Sequence, residues 1–131
     1  MKWRTKMMKH RKQRRLKINE YQKECLRTES GIKYATDSDG QPVSDLRLLN
    51  GLMGLNGEAG ECIDILKKYL FQGHELDKEH LAEELGDVAW YLAVTADALG
   101  YSLQEIFKMN IEKLRKRYPD GFEEERSINR V

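Results

Sequence analysis

Two pairs of acidic residues stand within or beside the apolar stripe of a helix, where leucines would ordinarily lie. Glu58 and Glu61 are three apart and share a helix face with Leu55, Cys62 and Ile65. Glu84 and Asp87 repeat that spacing beside Leu81, Val88 and Tyr91. Two helices offering such pairs to the space between them would gather four carboxylates. Like charges ~5 Å apart repel by ~3 kcal/mol at an effective dielectric of about 20. Protonation relieves this, and so does a divalent cation. An oxygen-only set without His or Cys suits a hard ion, Mg²⁺ or Mn²⁺. Gly57, Gly60 and Gly86 adjoin the acids and leave room for water and phosphate oxygens. The plainer alternative is a solvated face paired with lysines at i+4. Glu58, however, has Cys62 at that position and Glu84 has Val88. With 22 Asp+Glu in the chain, acid pairs also arise by chance, and spacing alone leaves both readings open.

A second stripe carries donors. Asn110, Lys113 and Arg117 fall at i, i+3 and i+7, and Lys68 lies on the same side of its helix as Glu61, two turns on. Near a metal cluster such groups would hold phosphates, the guanidinium in a bidentate way. The competing reading for Lys113 and Arg117 is favourable charge at a helix C-terminus, which does not account for Asn110. Trp90, Tyr91 and Tyr118 are available either to stack on a base or to fill the core.

The elements that must position these groups are helices. No alternating strand pattern of useful length occurs, and the only two prolines, Pro42 and Pro119, sit where helices begin or end. The first helix is expected over about residues 16–29, with Asn19 and Gln22 at the spacing of a capping pair. Residues 36–42 read as a loop. The second helix runs from about Ser44 to Leu70, its apolar positions Leu48, Leu52, Leu55, Cys62, Ile65, Leu66 and Tyr69 at helical spacing. Gly51, Gly54, Gly57 and Gly60 interrupt it at ~1 kcal/mol each relative to alanine. A kink, a close helix approach or ligand access would explain them. Asp77 caps a third helix that runs to about Leu99 and stops at Gly100. Ser102 and Glu105 form a capping box for a fourth, which carries Leu103, Ile106, Phe107, Ile111 and Leu114 inward and ends before Pro119. The expectation is an all-α, four-helix bundle-like domain.

The 131 residues suit one domain, with 40% hydrophobic and 34% charged residues giving a thin core that copies of the chain could complete. A net charge of +1 argues against a generic nucleic-acid binder. Residues 1–17 nevertheless hold nine Lys and Arg and no acid. They read as a solvated leader, or as an arm that contacts nucleic acid or an anionic membrane. No apolar run reaches the ~20 residues of a membrane span, and no signal-peptide core follows the basic start. Two cysteines without a CxxC point to a reduced, cytoplasmic setting.

Three blocks in order carry a family resemblance: Leu55-Asn56-Gly57-Glu58-Ala59-Gly60-Glu61, then Glu83-Glu84-Leu85-Gly86-Asp87-Val88, then Asn110 through Lys113-Leu114 to Arg117-Tyr118-Pro119-Asp120-Gly121-Phe122. The chain resembles the MazG-like all-α nucleoside triphosphate pyrophosphohydrolases over residues 18–123. A basic arm at 1–17 and a tail at 124–131 lie outside. The resemblance implies Mg²⁺ bound by Glu58, Glu61, Glu84 and Asp87, which are also the catalytic set. It implies phosphate contacts from Lys68, Asn110, Lys113 and Arg117, cleavage between the α- and β-phosphates, and a homodimer or a dimer of dimers.

Two rivals remain. A di-iron carboxylate bundle needs Glu-x-x-His on two helices. Asp77-x-x-His80 is the nearest approach and is not repeated, and His10, His74 and His80 read as ordinary surface residues. The other rival is a non-enzymatic helical interaction module that binds nucleic acid through its basic arm.

Overall fold

A computed structural model describes residues 15–30, 38–40 and 45–129. Among these, the helices in chain order are α1 (Ile18–Thr28), α2 (Leu46–Phe71), α3 (Lys78–Ala98), α4 (Leu103–Arg117) and a short α5 (Glu124–Ile128). There is no strand among the described residues, so the fold is all-α, as the periodicity predicts. The basic arm falls outside the described residues up to position 14. Among the described residues, no helix is long and apolar enough to cross a membrane. Cys25 and Cys62 are both free thiols.

Local chemistry sets the helix ends. The Asp77 side chain accepts the His80 backbone N–H at 2.9 Å and starts α3. Asp77-x-x-His80 is therefore a cap and not a ligand pair. Ser102 and Glu105 close the expected capping box, Glu105 N–H to Ser102 Oγ at 3.2 Å and Ser102 N–H to Glu105 Oε2 at 2.7 Å. Gly100 takes the left-handed conformation, φ +82°, that turns the chain out of α3.

The start of α1 differs from expectation. Asn19 and Gln22 do not cap it. Lys17 is the N-cap residue, and its N–H reaches Glu20 Oε2 at 3.4 Å. Asn19 instead donates to Gln104 of α4 at 3.4 Å. Gln22 is buried, donates to the carbonyls of Ala93 and Tyr101, each at 3.2 Å, and accepts the Leu103 N–H at 2.9 Å. One amide thus fastens α1 to the α3–α4 turn.

Helix α3 is the hub, packing against α1, α2 and α4. Four consecutive residues, Ala93 to Ala96, are buried, which marks a stretch enclosed on all sides. The core joins Cys25, Ala93, Val94, Ala96 and Leu103, with Tyr21, Leu26, Trp90, Tyr91, Leu92 and Ile106 packed on it. It is small, as the composition implies. Two glycines explain the α2–α3 contact. A Cβ on Gly51 would collide with Thr95, and one on Gly54 with the Tyr91 ring, so the backbones approach too closely for side chains. Arg47, at the start of α2, makes a bidentate pair with Glu29 at 2.6 and 2.7 Å and reaches Asp97 at 2.6 Å.

The outer half of α4 also departs from expectation. Leu103 is buried and Ile106 half-buried, but Ile111 and Leu114 are 47% and 41% exposed. On α2, Leu52 and Tyr69 likewise face outward. Their stripes have the helical period, but no described segment of the same chain covers them.

Candidate metal centre

The pairings Gly51 with Thr95 and Gly54 with Tyr91 run antiparallel. Continued one turn, they bring Glu58 of α2 opposite Glu84 and Asp87 of α3. One ligand oxygen from each of these three lies within 4.8 Å of the others. Glu84 is the deepest, 8% exposed, while Glu58 is half-buried and Asp87 exposed. The cluster thus has a buried floor and an open rim. A Cβ at Gly57, Gly60 or Gly86 would meet nothing within 4 Å, so the space beside the acids is open.

Glu61 is exposed and outside the three-residue set. It still acts on it. Partial burial raises the Glu58 carboxyl above the ordinary range, and the charges of Glu61, Asp87 and Glu84 raise it further. Among the described residues, no lysine or arginine pairs with any of the four acids. A side-chain donor, the imidazole of His80, stands against the floor of the cluster. His80 Nε2 lies 2.8 Å from Glu84 Oε1. From α1, the Tyr21 hydroxyl approaches the Gly86 carbonyl at 3.5 Å, next to Asp87. Burial, then Cys25, pushes that phenol up to about 12, so it remains protonated.

Lys68 donates to Asp64 at 2.6 Å, as does Lys67. Hydrogen bonds from both lysines lower the Asp64 carboxyl to about 2. Asn110 and Lys113 are exposed and Arg117 is half-buried. Lys113 and Arg117 line an open groove of about 850 Å³ with Met109, Glu112, Arg115 and Lys116, and none of the four acids borders it. Helix α4 itself packs against α1 and α3.

The aromatic residues Trp90, Tyr91 and Tyr118, all half-buried, have neighbours within the chain. Trp90 packs edge-on to Tyr91 at 4.9 Å and donates to Thr28 Oγ1 at 2.8 Å. Tyr118 packs at a tilt against Phe122, ring centroids 5.5 Å apart.

His80 reads from sequence as an ordinary surface residue and Asp64 draws no notice there, yet each has its partner four residues away. Looking one turn back from Glu84 and Lys68, rather than only one turn forward, finds both.

A chain whose described residues are helical and gather, from two antiparallel helices, carboxylates that no described lysine or arginine pairs with is a carboxylate-bearing bundle. It belongs to the MazG nucleotide pyrophosphohydrolase domain family, whose model matches residues 48–122, more than half of the chain and all four acids. The chain is 38% identical over 73 residues to the gene 37 protein of Mycobacterium phage L5, covering 53% of this chain and 64% of that protein. It is 46% identical over 41 residues to the uncharacterized protein YvdC of Bacillus subtilis (strain 168), covering 31% of this chain and 39% of that protein. The chain therefore spans less than two thirds of the length of either relative. No solved structure matches it significantly.

Proposed function

We propose that this chain is a magnesium-dependent pyrophosphohydrolase that splits (d)NTPs between the α- and β-phosphates, giving (d)NMP and pyrophosphate. The reading is carried by the convergence of Glu58, Glu84 and Asp87 within 4.8 Å, with no lysine or arginine neutralising them among the described residues. That donor set fits a hard cation: all oxygen, anionic, half-buried and open on one side. Mn²⁺ suits the same ligands.

Glu58, Glu84 and Asp87 would hold the ion. When bound, it supplies Lewis acidity at the phosphate oxygens and toward the attacking water. Glu61, exposed and without an ion pair among the described residues, would join the ligands or orient and deprotonate that water. Lys68, Asn110, Lys113 and Arg117 are assigned to the phosphates, where cationic donors offset charge on the leaving pyrophosphate. For Lys68 this requires exchanging Asp64 for the nucleotide.

Self-association as a homodimer or homotetramer belongs to the same reading. The apolar side chains Met53, Ile63, Leu70 and Phe71 on α2, and Ile111 and Leu114 on α4, are exposed, Phe71 by 80%. A single chain of this size has little reason to leave so much apolar surface in water.

The test is incubation of the pure protein with each NTP and dNTP, with Mg²⁺ and with EDTA. Monophosphate plus pyrophosphate in Mg²⁺ alone is expected. Orthophosphate and a diphosphate would overturn the bond assignment, and turnover surviving EDTA would overturn the metal.

A further inference from the structure

We propose that His80 is a positioning residue for this site: its ring N–H holds the Glu84 carboxylate in the rotamer that faces Glu58 and Asp87. The proposal rests on the carboxylate reading of the metal centre and adds to it a residue that is not itself a ligand.

The geometry comes in two steps along one helix turn. Asp77 accepts the His80 backbone N–H at 2.9 Å, which fixes the first turn of α3 and the ring's point of origin. From there His80 Nε2 reaches Glu84 Oε1 at 2.8 Å, one turn on and on the same face. An ionised carboxylate only accepts, so Nε2 carries the proton in this bond. A carboxylate has two oxygens, and tying one of them leaves the other for the cluster.

Glu84 needs such a tether more than its neighbours do. It is the most buried of the acids, its side chain 11% exposed, and it lies among like charges that push it outward. No lysine or arginine among the described residues holds it in place. His80 is not a fourth ligand in this arrangement: the group whose ligand atoms come within 4.8 Å of one another comprises the three carboxylates alone. Carboxylates that ligate metals are commonly oriented by hydrogen bonds from outside the ligand shell.

The experiment uses the full chain at one fixed pH and reads Mn²⁺ binding by calorimetry and electron paramagnetic resonance. The variants are His80→Ala, His80→Gln, His80→Asn and Glu84→Gln. Gln places an amide N–H as many bonds from Cβ as Nε2 is, without a titrating ring. Asn falls one bond short. His80→Ala and His80→Asn are expected to weaken Mn²⁺ about tenfold, and His80→Gln to restore wild-type affinity. Folding is not at stake, because the cap uses the backbone N–H and the ring is half exposed. Equal melting temperatures in EDTA check this.

Mn²⁺ affinity unchanged in His80→Ala overturns the proposal and leaves the metal site standing. Equal weakening in His80→Ala and His80→Gln overturns it too, since the ring and not its donor would then matter. A directly bonded nitrogen in the Mn²⁺ spectrum makes His80 a ligand and overturns it. Wild-type protein that binds no Mn²⁺, or binds it as well as Glu84→Gln does, overturns the metal site and the proposal together.

Discussion

Gly54 and Tyr91 meet so closely where α2 crosses α3 that a Cβ on residue 54 would overlap the phenol ring. Alanine favours a helix over glycine by ~1 kcal/mol, but here the overlap outweighs that gain. The ring cannot swing away, because it packs on Trp90 and the core. Gly54→Ala is expected to lower stability by about 1–3 kcal/mol in urea melts. Gly60→Ala meets nothing within 4 Å and is expected to gain up to ~1 kcal/mol. A Gly54→Ala protein as stable as wild type would refute the close approach. A Gly60→Ala protein that is more stable but slower in turnover would show that substrate or a second copy occupies the space.

The Glu58 carboxyl titrates higher in the folded protein than in an unfolded chain, partial burial first and then its acidic neighbours being the cause. The folded state therefore binds that proton more tightly. Stability at this group is lost as pH rises from the ordinary carboxyl range through the raised value, and below that window the group costs nothing. Glu58→Gln should thus match wild type in acid and melt higher than wild type near neutrality, both in EDTA. Mg²⁺ should raise the melting temperature of wild type and leave the variant unmoved. Equal melting curves for the two proteins in EDTA at neutral pH would refute the repulsion.

Arg47 joins the end of α1, the start of α2 and the end of α3 through Glu29 and Asp97. Its guanidinium is partly exposed, so screening reduces what the pairs contribute. Arg47→Met is expected to cost about 1–2 kcal/mol, and Arg47→Lys nearly as much, since an ammonium cannot match the bidentate pairing. A double-mutant cycle with Glu29→Gln measures the coupling. A coupling energy near zero would make the pair ornamental.

The exposed apolar ends of α2 and α4 should be covered in solution by another copy. Light scattering on the eluting wild-type protein is expected to give a multiple of the chain mass. Phe71→Glu combined with Leu70→Glu should shift the mass toward the monomer while keeping the helical spectrum. A wild-type monomer at micromolar concentration would refute self-association.

Much of the fold was legible because its signals are local. Asp77, Ser102 with Glu105, and Gly100 act within one turn, and their positions in the chain fix both ends of α3 and the start of α4. The acid spacing likewise indicated which helices face each other. Other features were decided by contacts distant in sequence. Gln22 has the spacing of a cap residue but is drawn inward by carbonyls some seventy positions away. Gly51 and Gly54 look like Gly57 and Gly60 in sequence, and only the neighbouring helix separates the two pairs. The inward stripe expected on α4 presumed a covering surface, and the described chain supplies one only for the helix's first turn.

The stretch shared with the family begins after α1, yet the Gln22 amide on α1 meets the needs of three backbone groups inside that stretch. Excising residues 48–122 as a minimal enzyme would strand the Leu103 N–H and the carbonyls of Ala93 and Tyr101 at the corner where two of its helices join. The recognisable segment thus leans on a helix outside it, and evolution or engineering that removes α1 must supply a new plug for that corner.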